Sequence, residues 1–197
     1  MEAAQRATEP QSEQNRAIER LNTRVAITVA VLATFMGICK VKDDNIVQAM
    51  QQAQANKIDH WAFYQARHLR EELAYAAIVQ LQLAAATASS EAKKQYENAI
   101  AHYQAFANEQ NRKNEELRSQ ADQDQRDYDA LNFRDDQFDL SDALLAIAIS
   151  LLAVTSLTRQ SWLYLIALVP TALGLLMGLA GLLGWSIHPT GLIKLLS

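Results

Sequence analysis

Glycine and proline are nearly absent from the middle of this 197-residue chain. Neither occurs between Gly37 and Pro170, a run of 132 residues. Strands and tight turns need these residues at their ends, whereas helices do not. Alanine, glutamine, glutamate, leucine and arginine fill the run, and all are good helix formers. The sequence therefore predicts an all-α protein.

Cysteine, excess positive charge and catalytic motifs are also lacking. One cysteine, Cys39, excludes a disulfide framework. The net charge of −4 excludes a basic nucleic-acid binder, so no nucleic-acid partner is expected. No glycine-rich loop is present to hold phosphate, and no serine or cysteine has the context of a nucleophile. His60 and His68 share a helical stripe, but no third metal ligand joins them. We expect no enzymatic activity, no cofactor and no metal.

Three segments contain no Asp, Glu, Lys or Arg: 25–39, 143–158 and 160–193. A membrane-spanning helix needs about 20 mostly apolar residues. These segments predict transmembrane helices at 21–40, 140–158 and 162–185, and membrane lipids as partners. A polar tail, 1–20, precedes the first span, and a C-terminal tail, 186–197, follows the third.

The polar insert 41–139 is predicted to be an antiparallel two-helix coiled coil that turns near 87–91. The cap-forming residues of Thr87–Glu91 lie at its midpoint. After the turn, residues recur at spacings of four and three, as in a coiled-coil seam: Tyr96, Ile100, Tyr103, Ala107, Gln110, Asn114, Leu117, Ala121, Asp124, Tyr128 and Leu131. Before the turn, we expect these residues to pack against them: Val47, Met50, Ile58, Ala62, Leu69, Leu73, Ala76, Val79 and Leu83. That pairing places His60 near Ser119.

The hairpin also predicts an acidic collar where the insert meets the membrane. Its two ends carry six carboxylates, which are Asp43, Asp44, Asp135, Asp136, Asp139 and Asp142. A ring of subunits would gather these carboxylates around one axis, where they could concentrate cations. The alternative interpretation is a set of ordinary flanking charges, since Asp is favourable near a helix N-terminus.

Two groups of residues predict self-association. Trp61, Phe63 and Tyr64 cannot all be buried in one two-helix seam, because consecutive positions lie about 100° apart around a helix. Gly174, Gly178 and Gly181 lie on one face of the third span, where helices can approach closely. Both groups are candidates for an interface between copies of the chain.

Orientation follows from the short loops. Long loops cross the membrane largely regardless of their charge, so the insert is discounted. Arg16, Arg20 and Arg24 share their side of the membrane with Arg159. The N-terminus is therefore expected in the cytoplasm and the hairpin outside it.

Three blocks carry a resemblance to a known family. They are Asn45–Met50, the Asp-x-Trp-Ala-Phe-Tyr-Gln-Ala-Arg block of Asp59–Arg67, and Leu157–Tyr164. The chain from about Arg24 to Trp185 resembles an uncharacterised bacterial membrane family, domain of unknown function forty-three thirty-seven. Phe63 and Arg67 are conservative departures from its pattern, and Ile46 stands where the family has an acidic residue. The resemblance implies a three-span protein of the bacterial inner membrane with a helical insert, and it implies no activity.

Together these features predict a membrane-anchored, homo-oligomeric coiled-coil protein that acts by assembly or by binding a partner. Other membrane proteins are the second class of partner. The alternative function is an oligomeric cation-conducting pore, or its accessory subunit, with the acidic collar as its vestibule.

Overall fold

The computed structural model describes residues 2–185, with side chains described from Asn15 onward. Three α-helices and short links between them make up this range. Helix α1 spans Glu2–Ala86, α2 spans Ser90–Thr158 and α3 spans Ser161–Leu183. No strand occurs among these residues, which agrees with the predicted all-α class. The predicted tail 186–197 lies outside the described residues.

The chain divides into two compact units. The first, here the span unit, comprises Met1–Gln48 and Leu131–Ser197, and the second, the hairpin unit, comprises Ala49–Ala130. All three helices are long and apolar enough to cross a membrane, which makes them candidate spans and suggests a membrane protein.

The span unit packs α1, α2 and α3 around an apolar core. Its buried side chains are Val25, Leu32, Leu145, Ala148, Leu152 and Ala167. The link between α2 and α3 is short, and Arg159 adopts a positive φ of 57° there. Helix α3 ends two residues earlier than predicted, because Gly184 takes a left-handed conformation and caps it.

The hairpin unit pairs the two arms on either side of a short turn between Ala86 and Ser90. Ser89 Oγ accepts a hydrogen bond from the Ala92 amide at 3.5 Å and so caps α2. On α2, the structure buries Ala107, Gln110, Asn114 and Ala121, all members of the predicted repeat.

The predicted α1 seam is wrong beyond Met50, which is buried as expected. Ile58, Leu69, Leu73, Val79 and Leu83, which were expected in the seam, are between 55% and 70% exposed. A different set with the same spacing of four and three faces α2 and is buried or partly buried: Ala53, Lys57, His60, Tyr64, Arg67, Glu71, Ala74, Ile78, Leu81 and Ala85.

The reason lies in the polar residues of α2. A buried amide or carboxylate needs a hydrogen-bond partner, which a leucine cannot supply. Glu71 accepts a hydrogen bond from Asn111 Nδ2 at 3.0 Å and one from Asn114 Nδ2 at 3.4 Å. Arg67 Nη1 donates to Gln110 Oε1 at 3.0 Å. Helix α1 therefore turns its polar side towards α2 and its large aliphatic side chains away.

Candidate functional site

A buried carboxylate lies at the centre of the predicted acidic collar. The Asp43 side chain is only 6% exposed, and its Oδ2 accepts a hydrogen bond from Lys40 Nζ at 2.7 Å. Its Oδ1 receives no hydrogen bond from the described part of the chain while its neighbours are ionised. Burial of an incompletely paired carboxylate is unfavourable, so this position favours a cation nearby, and Lys40 supplies one.

Asp135 and Asp139 of α2 lie close enough to Asp43 for its charge to affect their pKa values. Partial burial raises the pKa of Asp135 to about 6, helped by a hydrogen bond with Asp43 and by the charges of Asp139 and Asp136. Such a bond between two carboxyl groups exists only when one of them carries a proton. Burial and the charge of Asp43 also raise the pKa of Asp139, against the opposing effect of Lys40. Protons are therefore held here at a higher pH than by ordinary aspartates.

The other collar residues, Asp44, Asp136 and Asp142, are less buried than Asp43. Asp44 is exposed and lies 3.4 Å from Lys40 Nζ. Asp136 and Asp142 are partly buried, and the charges of both raise the pKa of Asp139. No group of three or more His, Cys, Asp or Glu in the described residues is arranged to hold a metal ion. Within the cluster, Asp135 and Asp139 are thus carboxyl groups whose pKa values are raised by burial and by neighbouring carboxylates.

Two polar residues beside this cluster make contacts that the sequence did not predict. Arg134 Nη2 donates to the Gly181 carbonyl at 3.0 Å, and Gln137 Nε2 donates to the Trp185 carbonyl at 2.8 Å. Gln137 is fully buried in line with the buried Ser141. The position of a glutamine on the core-facing stripe of α2 could have identified Gln137 from the sequence.

The three glycines predicted at a subunit interface pack within the chain. An added Cβ would lie 2.8 Å from Leu145 Cγ at Gly174, 2.6 Å from Phe35 Cε1 at Gly178 and 2.9 Å from Phe138 Cζ at Gly181. The small residues let α3 approach α1 and α2 of its own chain, so their own chain occupies the face that was expected to bind another copy.

The aromatic block of α1 is split between seam and surface. The Trp61 and Tyr64 rings meet edge to face with centroids 5.3 Å apart, and Tyr64 stacks on His68 at 6.1 Å. Both Trp61 and Tyr64 are partly buried, whereas Phe63 is exposed. Phe63 is thus the member of the block that is most available to a partner.

Of His60 and His68, only His60 belongs to the hairpin seam. His60 Nδ1 lies 2.6 Å from Asp124 Oδ2, not near Ser119 as predicted, because the helix register is shifted along α2. His68 is half-exposed, and its Nδ1 is 3.6 Å from Glu71 Oε2, too far for a good hydrogen bond. This polar network selects one register of the two helices.

Comparison with known families gives one match. The family described as "Domain of unknown function (DUF4337)" matches residues 21–184. No curated protein and no solved structure shows significant similarity to the chain.

Proposed function

We propose that this chain, which belongs to the DUF4337 family, is a membrane-anchored, homo-oligomeric coiled-coil protein without enzymatic activity. It acts by assembly or by binding a partner, with membrane lipids around its spans and other membrane proteins as the second class of partner. We place it in the bacterial inner membrane, with the N-terminus in the cytoplasm and the hairpin outside.

One observation supports this proposal above the others: the hairpin unit buries polar side chains and exposes large apolar ones. Glu71, Gln110 and Asn114 are buried, whereas Phe63 and Leu83 are exposed. Contiguous exposed apolar surface is typical of sites that bind another protein. The fold is therefore suited to associating through its hairpin.

The oligomeric state of the detergent-extracted full-length protein tests the proposal. Light scattering over a range of protein concentrations should give a mass above that of one chain. The variant Trp61→Ala/Phe63→Ala should dissociate at a higher concentration than wild type, because aromatic side chains contribute strongly to interfaces. The control Gln104→Ala/Asn108→Ala changes exposed polar residues of α2 and should behave as wild type. A protein that is monomeric throughout would refute the proposal.

The acidic cluster supports a second candidate function, a homo-oligomeric cation pore or its accessory subunit. A partly buried group of carboxylates attracts cations and can form the vestibule of a pore. Asp43 and Asp135 are the residues that would matter most, because Asp43 is buried and partial burial beside Asp43 raises the pKa of Asp135 to about 6.

Potassium flux into liposomes containing the purified protein tests the pore. Asp43→Asn/Asp135→Asn should lower the flux, whereas Asp122→Asn/Asp127→Asn, which removes two exposed carboxylates of the hairpin unit, should not. Flux no higher than in protein-free liposomes would refute this candidate and leave the assembly role in place.

The proposed orientation has its own test. Protease added to intact spheroplasts should cut the turn near Ser89 and Ser90, which is exposed, and should leave residues 1–24 protected. Cleavage that occurs only after the membrane is breached would reverse the assignment.

A further inference from the structure

A second coiled-coil stripe runs along α1 in the hairpin unit and has no partner among the described residues. This outward stripe comprises Ile58, Ala62, Leu69, Leu73, Ala76, Val79 and Leu83. Its five large members are more than half exposed. The spacings are close to those of a heptad repeat, which is why the sequence alone predicts it as the seam with α2.

The outward stripe and the real seam lie on opposite sides of α1. Leu69 and Leu73 stand two residues before and after Glu71, so each lies about 160° around the helix from that seam residue. Leu83 stands in the same relation to the partly buried Leu81. The helix therefore presents one side to α2 and a separate apolar side to the exterior of the unit.

A shallow groove extends this apolar surface onto α2. Its volume is about 280 Å³, and it is lined by Arg70, Leu73, Ala74, Ala77, Tyr103 and Phe106. Tyr103 and Phe106 are each 39% exposed. Leu73 belongs both to the outward stripe and to this groove, so the groove adjoins one edge of the stripe.

We propose that the outward stripe is the seam on which a second copy of this chain packs, with the two α1 helices parallel and in register. This inference rests on the proposed assembly function and specifies the surface that mediates it. Two copies inserted the same way in one membrane are related by an axis normal to the membrane. Such a twofold axis places each residue near it against the same residue of the other copy.

The absence of charge on the outward stripe meets a requirement of a twofold interface between two copies. In a twofold interface each side chain near the axis meets its own counterpart, so a central charge would face a like charge. None of the seven residues of the outward stripe is charged. Glu72, one heptad before Val79, lies on the Val79 edge of the stripe, and Arg70 lies outside the opposite edge, beyond Leu73.

The size of the stripe favours a partner that is held in the same membrane. From Ile58 to Leu83 it is about 39 Å long, and at a helix width of about 10 Å it offers on the order of 400 Å². A stable interface between free proteins uses about 800 Å² on each partner. A stripe of this size therefore needs the high effective concentration of co-anchored molecules, a condition that a second copy always meets.

Disulfide cross-linking of the full-length protein in its membrane tests the proposed pairing. In a Cys39→Ala background, Leu69→Cys and Leu83→Cys place a thiol on the stripe, whereas Arg70→Cys and Gln82→Cys place one at nearly the same height but 100° around the helix. A disulfide needs Cα atoms within about 7 Å, so we expect the stripe positions to give about fivefold more cross-linked dimer than their controls. Equal yields at stripe and control positions would overturn the inference.

A charge-insertion variant gives the second readout. Leu69→Lys/Leu73→Lys should raise the dissociation constant of the oligomer by about tenfold or more, because two like charges would face each other across the axis. Gln82→Lys/Gln104→Lys adds the same charge at exposed positions off the stripe and should not. Circular dichroism should show that both variants keep the helical fold.

The outcomes separate this inference from the proposed function. If wild type is monomeric at every concentration, both fall. If it is oligomeric but the stripe variants cross-link and dissociate like their controls, the assembly function stands and the outward stripe is excluded as its seam. Selective cross-linking of the stripe to a different protein instead of to itself would also overturn the inference.

Discussion

Replacing Gly174 by alanine is the sharpest test of how α3 packs in the span unit. The added methyl carbon would lie 2.8 Å from both Leu145 Cγ and Leu145 Cδ2, and 3.2 Å from Leu144 Cβ. Carbon atoms pack best at about 3.5–4.0 Å, so the overlap with Leu145 is close to 1 Å. Leu145 is completely buried, so its side chain must shift against its packed neighbours to make room.

The expected magnitude follows from two opposing effects. Overpacking a closed core costs about 1–3 kcal/mol. Alanine is also a better helix former than glycine by about 1 kcal/mol, which partly masks that cost. Gly37→Ala is the matched control, because it gains the same helix propensity and its Cβ has nothing within 4 Å. We therefore expect Gly174→Ala to be less stable than Gly37→Ala by about 1–3 kcal/mol.

Unfolding of the detergent-solubilised protein by added SDS, followed by circular dichroism, measures this difference. A double-mutant cycle with Leu145→Ala adds a second criterion. Leu145→Ala alone should cost about 2–5 kcal/mol by leaving a cavity. The Gly174 methyl fills part of that cavity, so the double variant should cost less than the sum of the two single variants. Equal stability of Gly174→Ala and Gly37→Ala, with an additive cycle, would refute the packing described here.

Four further predictions concern polar groups. His60→Ala should lower the free energy of unfolding, followed by the helical signal on heating, by about 1–3 kcal/mol, because it leaves the partly buried Asp124 without its partner. His68→Ala should lower it by no more than about 0.5 kcal/mol. Equal effects would contradict the assigned seam. Asp43→Asn should lower the pKa of Asp135 from about 6 in a carbon NMR titration. In wild type, Asp135 should make the span unit less stable as the pH rises from the ordinary pKa of 3.8 to about 6, because the folded state holds the proton more tightly than the unfolded state does. Asp135→Asn lacks this titration and is the control. A stability that rises over this pH range in wild type but not in Asp135→Asn would contradict the prediction. Glu71→Leu should destabilise the protein by leaving the buried Asn114 amide without its acceptor. Glu71→Leu/Asn114→Leu should recover stability in the same thermal assay, because the apolar pair leaves no such buried donor, and a double variant less stable than the single one would refute this.

The helical class and the α2 seam could be read from the sequence because local rules determine them. The long run without glycine or proline excludes strands, and the α2 repeat is the same whichever side of α1 faces it. The α1 seam could not be read in this way, because two stripes with similar spacing compete on one helix. Counting apolar residues favours Leu69 and Leu73, whereas the structure selects Glu71 because Asn114 needs a partner across the seam.

For the collar and the glycines, too, the sequence predicts one part of the structure and leaves another part open. The collar carboxylates could be placed at one end of the spans, since the charge-free segments define where those spans stop. The burial of Asp43 and its effect on the pKa of Asp135 depend on the rotation of α1 against α2, which composition does not specify. A glycine pattern such as Gly174 and Gly178 indicates close helix approach but not whether the approaching helix belongs to the same chain.

The register-selecting hairpin has a consequence for the order in which the chain folds. Contacts in the span unit join residues very far apart in sequence: the hydroxyl oxygens of Thr28 and Tyr164, 3.2 Å apart, are separated by 136 residues. Closing a loop of that length directly from an open chain is entropically costly and slow. In the hairpin unit the separations grow in steps, from 40 residues at Glu71–Asn111 to 64 at His60–Asp124. Each pair closes only a short additional loop once the previous one has formed, so the arms can zip from the turn and shorten the search that the span contacts require.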